Sequence, residues 1–166
     1  MRKRIPWALL LVFVAACFTG CGGGTTGGTA GRQAVATMKA VALPAGSAIG
    51  GISLTLNFPK GVTFATDSGG KVAGSVVQIT GVPDPAMTQV MAEYTPAGEA
   101  ADGKLKIIVL NAVGFGPGET VTIKGDITPG YFPKGGDFTL TDFDARDLNG
   151  ISITDILTYS FTADIS

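Results

Sequence analysis

Ile52-Ser-Leu54-Thr-Leu56-Asn-Phe58-Pro59 is the stretch that decides the fold. Apolar and polar residues alternate strictly from Ile52 to Phe58, the period-two pattern of a strand buried on one face. Ile52, Leu54, Leu56 and Phe58 therefore point inward. Pro59 has no N–H to offer a ladder, and it ends the strand. Pro59-Lys60-Gly61 is turn chemistry, after which Val62 to Ala65 forms a short continuation.

Similar runs flank this one. Ala34 to Leu43 reads as a looser first strand, and Ser75 to Thr80 follows a Gly-rich turn. Val90 to Tyr94, Lys104 to Leu110 and Glu119 to Lys124 come next, with Val121 and Ile123 sharing a face. Phe138 to Phe143 sets Phe, Leu and Phe against Thr, Thr and Asp; Ile151 to Ile153 and Leu157 to Thr162 close the chain. Strands spaced by about 8–15 residues, with turn residues between them, mark an antiparallel sandwich or barrel. The fold expected is all-β, an antiparallel β-sandwich of about nine strands over residues 33–166. Asp84 to Glu93 is the one helix candidate, and Pro85 makes it short.

Composition agrees. The 166 residues are 45% hydrophobic and only 15% charged, with 25 Gly and no His. Abundant Gly, Thr, Val and Ile suits an extracytoplasmic β domain. The net charge of −1 includes Arg2, Lys3 and Arg4; without them nine basic residues face thirteen acidic ones, a net of −4. A mildly acidic surface without a basic stripe excludes a nucleic-acid partner.

Residues 1–20 have the three parts of an export signal: basic Met1-Arg-Lys-Arg4, an apolar run from Ile5 to Ala16, and small residues before a cysteine. The run is shorter than the ~20 apolar residues of a spanning helix, so it reads as a signal and not an anchor helix. Val14-Ala15-Ala16-Cys17 and Phe18-Thr19-Gly20-Cys21 both resemble the lipobox of bacterial lipoprotein signals. Cys17 has the better residue three positions before it. Cys21 is preferred, because the tether-like Gly22-Gly-Gly-Thr-Thr-Gly-Gly28 follows it and its acylation leaves no free thiol in an oxidising compartment. An ordinary secretion signal with incidental cysteines is the alternative. The resemblance implies a diacylglyceryl thioether plus an N-acyl chain. With no Asp after either Cys, it implies outer-membrane retention. The division expected is 1–20 signal peptide, 21–32 Gly/Thr-rich tether and 33–166 domain.

Gly50–Phe64 is an alternating strand that enters a turn and re-emerges. Gly103–Ile123 reads as a strand, a Gly-rich loop and a further core strand, and Asp144–Ile153 as an Asn-Gly turn before a last strand. Together these resemble the cohesin-type domain, the jelly-roll β-sandwich of cellulosomes and of other bacterial surface proteins. Asn57-Phe58-Pro59 departs from the Tyr-Asp-Pro common in cellulosomal cohesins. The resemblance implies protein binding, with a dockerin-like partner.

Catalysis is read by elimination. The commonest general base is missing, and acylation or cleavage removes any thiol nucleophile. Ser53 and Ser75 stand in no motif, no Gly-x-Ser-x-Gly occurs, and the carboxylates fall mostly in turns or at outward strand positions. No enzyme is expected. Gly114-Phe-Gly-Pro-Gly118 lacks the Lys-Ser/Thr and helix of a phosphate loop and reads as a turn.

Two features invite a ligand. Asp137, Asp142, Asp144, Asp147 and Asp155 lie within nineteen residues, around Asn149-Gly150. A calcium site would use Asp144, Asp147 and Asn149, although the spacing slips by one and no bidentate acid is in register. The plainer reading has Asp142 and Asp144 pointing outward and Asn149-Gly150 making a hairpin turn. Calcium is the sole cofactor suggested. Tyr131-Phe132-Pro133, between Gly130 and Gly135, either presents an exposed aromatic tip or packs back on the sandwich edge. Trp7 belongs to the signal, so the domain offers no Trp as a sugar platform.

These observations imply a non-catalytic module held at a membrane by lipid. Its expected partner is a protein; a polysaccharide or other extracellular polymer is the alternative, as is an accessory role in an envelope complex.

Overall fold

The computed structural model describes residues 31–166 except Val82, Pro83 and Glu119; the signal, both cysteines and most of the tether lie outside the described residues. Nine strands follow in order: β1 (Gln33–Ala42), β2 (Ile49–Phe58), β3 (Val62–Thr63), β4 (Val77–Thr80), β5 (Thr88–Thr95), β6 (Gly103–Phe115), β7 (Thr120–Ile127), β8 (Thr139–Asp147) and β9 (Thr158–Ile165). Every pairing is antiparallel. One sheet runs β5-β6-β2-β8; the other runs β7-β1-β9, with β3 and β4 sharing the outer edge of β7. The chain is an all-β sandwich, as its alternation requires. The helix candidate shrinks to a single 3-10 turn, Pro85–Met87, where the Asp84 carboxylate accepts from Ala86 N at 3.0 Å.

The core lies between the sheets. Ile52, Leu54, Leu56 and Phe58 of β2 are buried, opposite Val109, Ile107, Leu105 and Gly103 of β6. β1 contributes Ala34, Ala36, Met38 and Ala40. Three of these are Ala, whose weak hydrophobicity is why this strand looks loose in sequence. Phe58, Phe64 and Tyr94 close one end, with ring centroids 4.9–5.9 Å apart. Such aromatic pairs are worth about 0.5–1.5 kcal/mol each beyond their burial.

β8 departs from simple alternation. Ser53 pairs with Asp144 and Thr55 with Thr141, so Leu54 alone faces both Asp142 and Phe143. Asp142 takes φ +52, the left-handed conformation that Asp tolerates better than most residues. This bulge shifts the phase by one, so that Leu140, Phe143 and Ala145 all meet the core. The Phe143 ring then lies 4.2 Å from that of Tyr159 on β9, joining the two sheets.

Two segments differ from expectation. Ile151 to Ile153 is not a strand: Ser152 makes one bridge to Arg146, and the chain then turns through Ile156 N and Leu157 N, both bonded to Ile153 O. Gly114 and Phe115 belong to β6 and not to a turn. Asn111 to Gly114 bulge out, after which Phe115 returns to pair with Ile49 and is buried.

Candidate binding face

The two outward faces of the sandwich differ in chemistry. On the β7-β1-β9 sheet the outward positions include Thr122, Lys124, Thr37, Lys39, Ser160 and Thr162, with Val35 and the half-exposed Val41 the apolar exceptions. On the β5-β6-β2-β8 sheet the rows change character along the strands. Glu93, Lys106, Thr55 and Thr141 share one row, and Thr95, Lys104, Asn57 and Thr139 the next. Toward the other end the rows are Met91–Ile108–Ser53–Asp144 and Gln89–Leu110–Gly51–Arg146.

Those apolar rows open into a groove of about 560 Å³, with Met87, Leu110, Leu148 and Arg146 around it and Gly50 and Gly51 in its lining. A smaller dip, about 140 Å³, continues it across Ile108, Ser53 and Asp144. Backbone approach dictates Gly50, whereas the neighbour of Gly51 is a side-chain end that can give way. A side chain at Gly50 would meet Asp147 O at 2.7 Å, and one at Gly51 would meet Leu110 Cδ2 at 3.0 Å. Met87, Met91, Leu110 and Leu148 are all between 42% and 52% exposed, an apolar cluster in water rather than scattered residues.

The wall beside β5 is fixed by Asn111. It is 2% exposed; its Nδ2 donates to Thr88 Oγ1 at 2.8 Å, and its Oδ1 accepts from Val113 N at 2.9 Å. The opposite wall is the hairpin at the end of β8. Arg146 Nε donates to Asp144 Oδ2 at 2.8 Å, and Arg146 Nη1 donates to Gly150 O at 3.1 Å. Asp144 Oδ1 also accepts from Ser152 Oγ and Thr154 Oγ1, both at 3.0 Å. The side-chain donors of Arg146, Ser152 and Thr154 hold the Asp144 carboxyl below the usual aspartate range.

Asp147 is engaged differently. Its Oδ1 accepts from Asn149 N at 2.8 Å and Ile151 N at 2.9 Å, while Gly150, at φ +79, completes the turn. The Ile151 amide is the largest cause lowering its pKa. Asn149-Gly150 thus makes a tight hairpin turn. Of the three residues weighed for calcium, Asp144 and Asp147 already take donors from the protein itself, and Asn149 Nδ2 leans on Asp147 Oδ2 at 3.5 Å. Among the described residues, no group of three or more acidic, His or Cys side chains is placed to hold a metal ion.

Tyr131 and Phe132 part company. Tyr131 folds back over Gly61, where any side chain would overlap its ring. Phe132 is 78% exposed, with the Arg32 guanidinium 5.4 Å from its ring centre. This tip and the groove lie at opposite ends of the sandwich, since Gly61 follows the end of β2 and Gly50 its start. Cys17 and Cys21 lie outside the described residues.

Sequence reasoning missed the groove. A signal was there: in Lys104-Leu-Lys-Ile-Ile-Val-Leu110, the outward positions change from Lys to Ile108 and Leu110. No family model, no curated protein and no solved structure matches this chain.

Proposed function

We propose that this chain is a lipid-anchored, extracytoplasmic binding module without catalytic activity, of cohesin-like kind and retained at the outer membrane. It takes a protein partner, dockerin-like by that resemblance, on the outer face of the β5-β6-β2-β8 sheet. The observation that supports this most is the contrast between the two outward faces: one is polar except for Val35 and Val41, whereas the other gathers Met91, Ile108 and Leu110 beside an open groove. Exposed apolar clusters rimmed by polar groups mark interaction surfaces. Methionine suits such a face because its unbranched thioether chain adapts to different contours.

Photo-crosslinking in the intact envelope tests the reading. A photoreactive residue replacing Leu110 is expected to give one discrete protein adduct, and one replacing Gln78 on the opposite sheet none. Adducts at both positions, or at neither, sink it. Retention on a polysaccharide column without any protein adduct assigns the same face to glycan binding instead. Mass spectrometry of the mature N-terminal peptide tests the anchor: acylated Cys21 is expected, acylated Cys17 moves the site, and an unmodified cleaved terminus overturns it.

A further inference from the structure

We infer that the Phe132 end of the sandwich rests on the bilayer, with the Phe132 ring inserted at the lipid–water interface. This rests on the lipid-anchor reading above and goes beyond it by assigning a protein surface to the membrane.

The argument begins with where the tether starts. Gln33 opens β1, and its neighbour Arg32 donates from Nη1 to Tyr131 O at 3.4 Å, ninety-nine residues away in sequence. The Thr128–Lys134 loop therefore sits at the root of the tether. Ten residues, 22–31, separate Cys21 from Arg32, and a Gly-rich chain of that length has a mean reach of about 16–19 Å. β2, ten residues long, spans about 30 Å of the sandwich. A lipid on Cys21 thus holds this end of the domain closer to the bilayer than the length of the domain itself. The groove at the other end faces away.

The loop is built to hold one ring out. Thr128 N donates to Gly61 O at 2.8 Å, and Tyr131 N to Thr128 O at 3.2 Å. With Tyr131 packed on Gly61 and Pro129 and Pro133 limiting the backbone, Phe132 is left pointing into solvent. A large exposed aromatic beside a guanidinium suits the interface, where the ring meets acyl chains and the cation meets phosphate. Arg32, Lys60, Lys104 and Lys134 at this end meet Glu99, Asp102, Asp126, Asp137 and Asp164, so the contact depends on the ring and not on a net positive charge.

The mature domain has no Trp, so an indole can report the contact. The full-length Phe132→Trp chain is expressed, processed and reconstituted in phosphatidylcholine vesicles containing brominated acyl chains. Val41→Trp, near the far end of β1, is the comparison. The expected result is blue-shifted, strongly quenched emission from position 132 and unquenched emission from position 41. A chain that sediments with the vesicles yet is unquenched at 132, or is quenched equally at both positions, overturns the contact while the anchor stands. A chain that carries no acyl group and stays in the supernatant overturns both.

Discussion

Asn111 Nδ2 donates to the Thr88 hydroxyl at 2.8 Å, tying the bulge of β6 to the first residue of β5. The same side chain accepts from Val113 N, so one buried amide holds both the bulge and the neighbouring strand. Thr88 in turn follows directly on the 3-10 turn that carries Met87 to the groove. The shape of the candidate binding face therefore depends on a buried polar residue in its own lining.

Replacing Asn111 with Ala empties a buried position and leaves the part-buried Val113 N–H without its acceptor. The expected cost is about 1–3 kcal/mol, read as a lower urea midpoint at unchanged slope. Thr88→Val leaves the buried Asn111 Nδ2 without its acceptor, and a cost in the same range is expected. Equal stability of Asn111→Ala and the parent chain would show that the bulge is held by something else.

Gly50 and Gly74 separate close approach from flexibility. A methyl at Gly50 meets the backbone of Asp147 and Leu148, which cannot swing aside, whereas nothing lies within 4 Å of Gly74. Gly50→Ala should destabilise by about 1–3 kcal/mol, as overpacking does. Gly74→Ala should stay within about 0.5 kcal/mol of the parent by thermal or urea unfolding.

Acid should act first on the β8 hairpin. Asp144 and Asp147 have folded pKa values below the ordinary aspartate value, so their contribution is fully present above that value and is lost as pH falls through the folded ones. Unfolding measured from pH 6 downward should lose stability below about pH 4. In Asp144→Asn that loss should be shallower. An unchanged slope in the variant would remove Asp144 from the account.

Leu110 and Met91 are surface positions by energy as well as by exposure. Leu110→Lys and Met91→Lys should each leave stability within about 0.5 kcal/mol of the parent. Met91→Lys should nevertheless abolish the adduct formed by a photoreactive residue at 110. A persisting adduct with an intact fold would move the partner off this face.

Much of the sandwich was legible because burial on one face writes itself into a strand with period two. Ile52, Leu54, Leu56 and Phe58 show it, as do Val121 and Ile123. Phe143 did not, since it stands one residue out of phase with Phe138 and Leu140. Only the unusual conformation of Asp142 restores the phase, and no local pattern announces a bulge. Ile151 to Ile153 looked like a strand because alternation alone cannot tell one bridge from a ladder.

The site was less legible for a related reason. A groove belongs to several strands at once: Leu110 comes from β6, Gly51 from β2, Met91 from β5 and Arg146 from β8. Pairing register sets these residues side by side, and register is a property of contacts between distant segments.

By itself, then, the sequence determined most of the strands, their inward residues and several of the turns, because alternation, Gly and Pro act over a few bonds. The lipid-anchor reading also rests on sequence alone. Tertiary structure decided which outward positions share a face, where Asp142 shifts the register, and that Tyr131 folds back while Phe132 stands out. It also placed the root of the tether and the apolar groove at opposite ends, because only the folded sandwich fixes the separation of Arg32 from Gly50.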